Sequence, residues 1–254
     1  MVALNRILTV EEMKAVAQRR VPKMFFEYAD SGSYTEGTYR TNESDFSKIL
    51  FNQKVAVNLE GRNLKVKMLG KEIAMPVAIA PAATGGMQVA DGEIKAARAA
   101  EKYGIPFSLS TMSVCSIEDI AENTSAPFWF QLYVMRDRDF INRLIDRAKA
   151  AKCSALILTM DLQILGQRHK DIRNGLSTPP KFTPYSIWQM MQHPLWCLRM
   201  LGTRRHTFRN IVGHVSGDHD LASLSAWTAS QFDPTLNWAD VKWIKERFGG
   251  PVIV

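Results

Sequence analysis

Polar side chains stand at or near the ends of several short apolar runs in this 254-residue chain, and their types could do chemistry. They are Ser110, Thr111, Gln131, Tyr133, Thr159 and Asp161. Amide and hydroxyl groups of this kind can bind the polar edge of a planar ring. The small residues Pro81, Ala82 and Ala83 follow another apolar run and would let a ligand approach the backbone closely. Together these residues favour a planar ligand with polar edges.

Two charged residues follow the strand that ends near Thr159, and one of them could bind an anionic ligand. Asp161 directly follows the apolar run LILTM, and a buried carboxylate must be paired or have its pKa tuned. Arg168 comes shortly after it and could bind a substrate carboxylate through two parallel hydrogen bonds. The alternatives for Arg168 are a surface position or a structural pairing with Asp161.

Structural roles remain open for each polar residue on its own. Ser110 and Thr159 could satisfy backbone groups at strand ends, and Tyr133 could be a core tyrosine with its hydroxyl at the surface. Gln131 is harder to explain in this way, because an amide inside the run FWFQLYV must find hydrogen-bond partners. The pattern, rather than any single residue, carries the hypothesis of a binding site.

The apolar runs predict five parallel β-strands that would position these residues. They lie at residues 76–80, 106–110, 127–134, 154–160 and 251–254. Their near-continuous apolar character is typical of strands buried on both faces of a parallel sheet. Amphipathic stretches between them predict helices, so the fold class is α/β, built from βα units. In a βα barrel the chemistry lies at the carboxyl ends of the strands, where the polar set falls.

Capping residues mark several of the predicted helices. Asp91 and Gly104 are expected to be the N-cap and the C-terminal glycine of one helix. Ser116 and Asp119 have the spacing of a capping box at the start of the next helix. A later helix places its apolar residues along one stripe, at Phe140, Ile141, Leu144, Ile145 and Ala148.

Two regions interrupt the alternation of strand and helix. Residues 1–75 predict a helical N-terminal cap with a small irregular or β segment, and residues 76–254 predict the barrel-type unit. An insertion at about residues 172–227 is too long for an ordinary connection. Its first part, residues 172–217, contains no Asp or Glu. Its basic and aromatic residues include Lys181, Arg199, Arg204, Arg205, Arg209, Phe182, Trp188 and Trp196.

Composition narrows the class of partner and the compartment. The formal net charge of +7 favours anionic small molecules, an anionic membrane surface or nucleic acid. The three cysteines form no C-x-x-C pair and the histidines no H-E-x-x-H motif, which predicts a reducing compartment and no metal site. No signal peptide or membrane-spanning run is found, so we expect a cytoplasmic protein. The stretch at 84–86, TGG, lacks the lysine of a phosphate-binding loop and predicts a tight turn.

Four stretches of the sequence resemble one enzyme family. They are PKMFFEYADSGSYTEGTYRTN, MPVAIAPAATGGMQVADGEIKAARAAEKYGIPFSLSTMSVCSIEDIA, FWFQLYVMRDR and LTMDLQILGQRHKDIRNG. Together they are similar to the FMN-dependent α-hydroxy acid oxidases and dehydrogenases, above all the bacterial quinone-linked L-lactate dehydrogenases. The resemblance runs from about residue 5 to the end of the chain. It implies a TIM (β/α)8 barrel with FMN at its C-terminal mouth.

The resemblance also implies a role for each polar residue. The residues expected to bind FMN are Pro81, Ala82, Ala83, Ser110, Gln131 and Thr159. The residues expected to bind the substrate are Tyr28, Tyr133 and Arg168. Tyr133 and Asp161 are expected to be catalytic, Asp161 by orienting a histidine that removes a proton from the substrate. Met112 stands where glycolate oxidases have a tryptophan, which implies a different substrate pocket.

The implied activity is FMN-dependent oxidation of a short L-2-hydroxy acid, L-lactate to pyruvate, with electrons passed to a membrane quinone. The loop at 181–209 would meet an anionic membrane surface on the inner face of the cell membrane, and the family implies a homotetramer. Nucleic acid is not expected, because the basic residues lie mainly in one insertion. The alternatives are an oxygen-using oxidase similar to glycolate oxidase, a non-catalytic membrane-associated remnant, and a barrel for a different phosphate ligand.

The family's remaining functional residues belong to the second half of its barrel. They are the catalytic histidine, a second arginine, a lysine beside the flavin and phosphate-binding glycines. We therefore expect a barrel that ends with its fifth strand and has no activity on its own. An open half-barrel leaves strand edges unpaired, which predicts aggregation or an uncooperative melt.

Overall fold

The N-terminal part of the chain is helical. A computed structural model describes residues 6–163, 166–176, 183–212, 227 and 230–254. The first helices are α1 Val10–Arg20, α2 Lys23–Ala29 and α3 Gly37–Ser44, followed by a 3-10 turn at Asp45–Lys48. A capping box between Thr9 and Glu12 starts α1. The apolar face of α2 is buried and attaches this part to the rest of the chain.

A short antiparallel hairpin leads into the βα units. It consists of β1 Val66–Met68 and β2 Lys71–Ile73. Its two turn residues, Leu69 and Gly70, have φ angles of 50° and 78°. Two successive positive φ angles are typical of a type I′ turn, whose twist matches that of the flanking strands.

Four parallel strands form the larger of the described sheets. Their order is β3 Ser108–Ser110, β4 Trp129–Tyr133, β5 Ala155–Thr159 and β6 Val252–Ile253. Every residue of β3 is buried, as are the first four residues of β4. Burial on both faces explains their near-continuous apolar sequences. The prediction of an α/β fold with a parallel sheet is confirmed for these strands.

The first predicted strand, at residues 76–80, is reduced to a single bridge beside β3. Ile79 forms an isolated parallel bridge with Phe107. Pro76 has no N–H to donate to a ladder, and the N–H of Val77 donates to Met75 O over 2.7 Å in a local turn. The full strand predicted here is therefore wrong, although the segment lies beside β3 as expected.

Helices connect the strands and cover the sheet. Between the bridge and β5 lie α4 Gly85–Gln88, α5 Gly92–Tyr103, α6 Ile117–Asn123 and α7 Arg138–Ala150. After β5 come α8 His169–Arg173, α9 Pro184–Met191, α10 Pro194–Leu201 and α11 Trp238–Phe248. The capping box at the start of α6 and the buried stripe of α7 agree with the sequence prediction. The stretch at 84–86, predicted as a tight turn, instead opens α4 from a left-handed Thr84.

Asp91 does not cap α5, contrary to the prediction. It stands at the N-cap position with φ 55°, but its side chain makes no capping hydrogen bond. Its carboxylate instead accepts hydrogen bonds from Thr203 Oγ1 over 2.7 Å and from Arg205 Nη1 over 2.9 Å. Both partners belong to the insertion, which could not be placed against α5 from the sequence.

Two apolar clusters hold these elements together. The main core lies between the sheet and its helices and includes Leu109, Phe130, Leu132, Ile141 and Leu144, each essentially inaccessible to solvent. The second cluster joins α2 to α4 and α10 and includes Met24, Phe25, Met87 and Met200. The N-terminal helices and the insertion are thus packed on each other.

Candidate active site

A row of hydrogen-bonded side chains crosses three strands at their carboxyl ends. Ser110 Oγ lies 3.0 Å from Gln131 Oε1 and donates to it, and Gln131 Nε2 donates to Thr159 Oγ1 over 2.8 Å. The strand register explains the meeting, because Ser110 pairs with Gln131 and Thr159 pairs with Tyr133 two residues further along β4. The structure therefore brings together the three residues predicted for the flavin edge.

This row has hydrogen-bonding capacity left for a ligand. Gln131 is 2% exposed, and its amide has a second N–H besides the one given to Thr159. Thr159 Oγ1 accepts from Gln131, so its own O–H can still be donated. The pyrimidine edge of FMN offers carbonyl oxygens and a ring N–H to such groups. The chemistry of these side chains fits that cofactor.

Residues 81–83 have small side chains and follow the bridge between Ile79 and Phe107 beside β3. Pro81 and Ala83 are half-buried and Ala82 is exposed. The segment is tied to the loop after β3 by a hydrogen bond from Thr84 N to Met112 O, 3.4 Å long. A backbone lined by such small side chains can lie against a flat ring, and the contact of these residues with the flavin stays a prediction.

Arg168 joins the start of α8 to the end of α2. Its guanidinium lies 4.7 Å from the centre of the Tyr28 ring, and Nη2 donates to the Tyr28 carbonyl and, over 2.9 Å, to Ser31 Oγ. Burial raises the pKa of the Tyr28 phenol, and the charge of Arg168 partly offsets that effect. Tyr28 and Arg168, both predicted to bind a substrate carboxylate, are therefore neighbours.

Asp171 belongs to this cluster and was not among the residues predicted from the sequence. Its Oδ2 lies 2.8 Å from Arg168 Nε, and its side chain is 9% exposed. Burial raises the pKa of this carboxyl to about 6, although the nearby Arg168 charge acts in the opposite direction. The i, i+3 spacing of Arg168 and Asp171 at the start of a short helix was the available signal.

Tyr133 ends β4 with its ring edge-on to Phe232, 6.5 Å between ring centres. Burial raises the pKa of its phenol to about 12, with smaller contributions from Tyr28 and Asp161. The Tyr133 hydroxyl is therefore neutral near pH 7 and can donate a hydrogen bond. The electrostatic effects also place Tyr28, Tyr133 and Asp161 in one neighbourhood.

Asp161 is exposed, whereas the apolar run before it predicts a buried carboxylate. It lies two positions beyond the last residue of β5, in a bend at the mouth of the sheet. A residue past the strand end has left the buried layers, which accounts for the difference. Its predicted role as partner of a histidine requires only that it face the mouth.

Two arginines of the insertion form ion pairs that hold it against the helices packed on the sheet. Arg205 lies 2.9 Å from both Asp91 and Asp119, and Arg209 lies 2.9 Å from Asp119. Burial opposes ionisation of Asp119, but hydrogen bonds from Arg205 and from the Ser116 backbone hold its pKa below the ordinary value. Arg205 and Arg209 are thus paired with carboxylates of the chain, and a contact of either with the membrane surface predicted for the loop at 181–209 stays a prediction.

The helices α9 and α10 expose a set of large apolar side chains. They are Tyr185, Ile187, Trp188, Met191, Leu195, Leu198 and Leu201. Trp196 and Met190 of these helices pack inward instead. Trp196 stacks on Phe25 with ring centres 5.3 Å apart and donates to Met87 O. Lys181 and Phe182 lie outside the described residues. Along the parts of the chain that the structure describes, no helix combines the length and apolar character needed to cross a membrane.

Comparison with known proteins agrees with this architecture. Residues 17–254 match the family described as FMN-dependent dehydrogenase. The chain is 41% identical over 245 residues to the L-lactate dehydrogenase of Pseudomonas entomophila (strain L48), which covers 96% of this chain and 64% of that protein. The solved structure of the monotopic membrane protein (S)-mandelate dehydrogenase is similar with a TM-score of 0.89 and 30% identity, over 97% of this chain and 65% of that one.

A lactate oxidase of Pediococcus acidilactici is also similar, with a TM-score of 0.76 and 28% identity, over 97% of this chain and 59% of that one. The chain thus spans less than two thirds of the length of each of these three relatives. Its α/β fold is that part of the hydroxy acid dehydrogenase barrel which carries the row of Ser110, Gln131 and Thr159. The chain belongs to the family of FMN-dependent dehydrogenases, and its cofactor is FMN.

Proposed function

We propose that this chain supplies the flavin edge and part of the substrate site of an enzyme that oxidises L-lactate to pyruvate. The observation that carries the proposal is the buried row of Ser110, Gln131 and Thr159 at the strand ends. The similarity to a bacterial L-lactate dehydrogenase supports a short L-2-hydroxy acid as the substrate. When bound, FMN supplies the acceptor for the two electrons that leave the substrate.

The proposed substrate contacts follow from charge and protonation. Arg168, held by Asp171 and Tyr28, would bind the substrate carboxylate, and the Tyr28 hydroxyl would add a hydrogen bond. The neutral phenol of Tyr133 donates to the substrate hydroxyl oxygen and orients it. Asp161, at the mouth, would stabilise a protonated imidazole and so help a histidine accept the proton of the substrate hydroxyl.

The histidine itself is proposed to come from outside the segments described at the mouth. Residues 80–84, 111–115, 134–137 and 160–163, which follow the strand ends, contain no histidine. These segments also contain no lysine, so the flavin lysine that the family resemblance implies is proposed to come from elsewhere as well. We therefore expect the purified chain to bind FMN and L-lactate but to turn over very slowly.

A membrane quinone is the proposed electron acceptor, with the protein bound to the inner face of the cell membrane. Two features support this: the exposed apolar side chains of α9 and α10, and the exposed Arg199 and Arg204 beside them, which can meet anionic headgroups. The similar (S)-mandelate dehydrogenase is a monotopic membrane protein.

An oxygen-using oxidase is the second candidate, because a lactate oxidase shares the fold. Hydrogen peroxide production during the oxidation of L-lactate would favour that candidate.

The substrate proposal can be tested without turnover. L-lactate added to the FMN-loaded chain should perturb the visible flavin absorption in a saturable manner, and D-lactate should act more weakly. Tyr133→Phe removes one hydroxyl and should raise the apparent Kd for L-lactate about tenfold. Tyr103→Phe, on the exposed face of α5, is the matched control and should change nothing. Equal responses in all three proteins, or no response to L-lactate, would refute the proposed substrate site.

A further inference from the structure

Asn210 is a fully buried residue of the insertion that reaches the loop after β3. Its Nδ2 lies 3.2 Å from Ser110 O, 3.3 Å from Thr111 O and 3.0 Å from Ser113 Oγ. Its Oδ1 accepts the backbone N–H of Ile117 over 2.9 Å. One side chain from the insertion thus binds both ends of the segment between β3 and α6.

The loop that Asn210 binds begins at Ser110, which is the first residue of the hydrogen-bonded row Ser110, Gln131 and Thr159. Ser110 Oγ donates to Gln131 Oε1 and accepts from Met112 N over 3.2 Å, so the path of the loop and the direction of the Ser110 hydroxyl are linked. Thr111 is tied to the same glutamine through its backbone N–H, 3.2 Å from Gln131 Oε1. A shift of this loop would therefore move hydrogen-bonding groups at the flavin edge.

Asn210 is itself held from the opposite side. Its carbonyl accepts a hydrogen bond from Arg147 Nη1 over 2.9 Å, and Arg147 is paired with Glu118 through both of its other nitrogens at 2.7 and 2.8 Å. The neighbouring Arg209 is paired with Asp119. The residue is thus clamped between α6 and α7, which makes it a fixed point for the loop.

We propose that Asn210 is a positioning residue for FMN: it holds the loop at 110–113 so that Ser110 and Gln131 present their hydrogen-bonding groups to the pyrimidine edge. The insertion, in addition to its exposed apolar surface, would then hold the loop that carries Ser110. This inference rests on the proposed flavin-binding role of the chain. A positioning role, unlike a purely structural one, predicts that the variant changes the environment of the bound flavin as well as the stability of the chain.

The test is titration of FMN into the full chain, followed by quenching of its fluorescence. Asn210→Asp keeps the size and the acceptor to Ile117 N but replaces the donating amide by a carboxylate that faces carbonyl oxygens. We expect the Kd for FMN to rise about tenfold or more. At saturating FMN the visible circular dichroism of the flavin should also differ from that of the wild-type protein. In a Gln131→Leu background the added effect of Asn210→Asp should be small, because coupled residues are not additive.

A destabilised control separates positioning from folding. Ile244→Val removes one methyl group from α11 in the core and should lower stability while leaving FMN affinity and the flavin dichroism unchanged. If Asn210→Asp does not fold, Ser113→Ala replaces it, since it removes one of the three acceptors, and should raise the Kd about twofold to threefold.

Unchanged affinity and dichroism in the asparagine variant, or losses that Ile244→Val reproduces, would overturn the inference while leaving the flavin-binding proposal intact. Failure of the wild-type chain to quench FMN would overturn both.

Discussion

At the scale of single residues, Asp171 shows how the fold sets the protonation of the substrate site. Burial works against its negative charge, and the Arg168 guanidinium 2.8 Å away only partly compensates, so its pKa is raised to about 6. The carboxylate is needed in its charged form to hold Arg168, but the folded protein is more stable when it is neutral. Stability and substrate binding are thus opposed at this residue.

The raised pKa of Asp171 predicts that the stability of the folded chain depends on pH, and that Asp171→Asn removes this dependence. The pKa of Asp171 in the folded protein, about 6, lies above its ordinary value of 3.8, so the folded state binds the extra proton. Its contribution to stability is present below about pH 4 and is lost as the pH rises through about 6, an effect on the order of 3 kcal/mol. Urea unfolding at several pH values should show this decline in the wild-type chain relative to Asp171→Asn. Parallel pH profiles for the two proteins would contradict the assignment.

The sequence could predict those site residues whose environment is local. Gln131 was recognisable because an amide inside an apolar strand must find partners, and the strand periodicity placed Ser110 and Thr159 at the same sheet edge. Asn210 could not be predicted, because its partners lie at residues 110–117 and nothing in the sequence fixes how the insertion returns to them. The exposure of Asp161 was missed because the apolar run before it indicates burial for the strand and not for the bend that follows.

At the scale of elements, the insertion divides into an anchored part and an exposed part. Residues 203–212 bind α5, α6 and α7 through Arg205, Arg209 and Asn210. The preceding α9 and α10 contact α2 through Trp196 and expose their other faces. Amphipathic patterns and capping motifs predicted the helices of the βα units. The packing of the insertion depends on ion pairs between residues far apart in the sequence, and such pairs leave no periodic signal in it.

The exposed part of the insertion should bind anionic lipid. Leu195, Leu198 and Leu201 are 70%, 66% and 81% exposed on α10. Replacing Leu198 and Leu201 by Ser removes apolar surface that would enter the headgroup region, and we expect at least about a tenfold loss of binding. Co-sedimentation with vesicles that contain phosphatidylserine measures it. The control is Leu8→Ser with Val10→Ser, at exposed positions near the N-terminus. Equal loss in both double variants would rule out α10 as the lipid contact.

At the scale of the whole molecule, much apolar surface lies outside the two cores. The segment from the end of α3 to the hairpin exposes Phe46, Leu50, Phe51 and Val55, each at least 74% accessible. Contiguous exposed apolar side chains on this scale are typical of contact surfaces and of aggregation-prone proteins. The fold therefore combines a well-packed parallel sheet with an N-terminal segment that has little contact with it.

This surface predicts that the isolated chain self-associates. Size-exclusion chromatography with light scattering should show an average mass that rises with protein concentration, and the double variant Leu50→Ser, Phe51→Ser should reduce the rise. The reason is that each buried apolar side chain contributes about 1.5–3 kcal/mol to association. A monodisperse monomer at every concentration, with a sharp thermal transition, would show that the exposed segment does not drive association.

The most direct test of the central claim is an FMN titration of the wild-type chain beside Gln131→Leu and Gln192→Leu. Gln131 links the flavin row, whereas Gln192 is an exposed glutamine at the end of α9. We expect saturable quenching with one FMN per chain for the wild type and for Gln192→Leu, and at least about a tenfold higher Kd for Gln131→Leu. No quenching by the wild-type chain, or equal affinity in all three proteins, would contradict the assignment of this sheet edge as the flavin site.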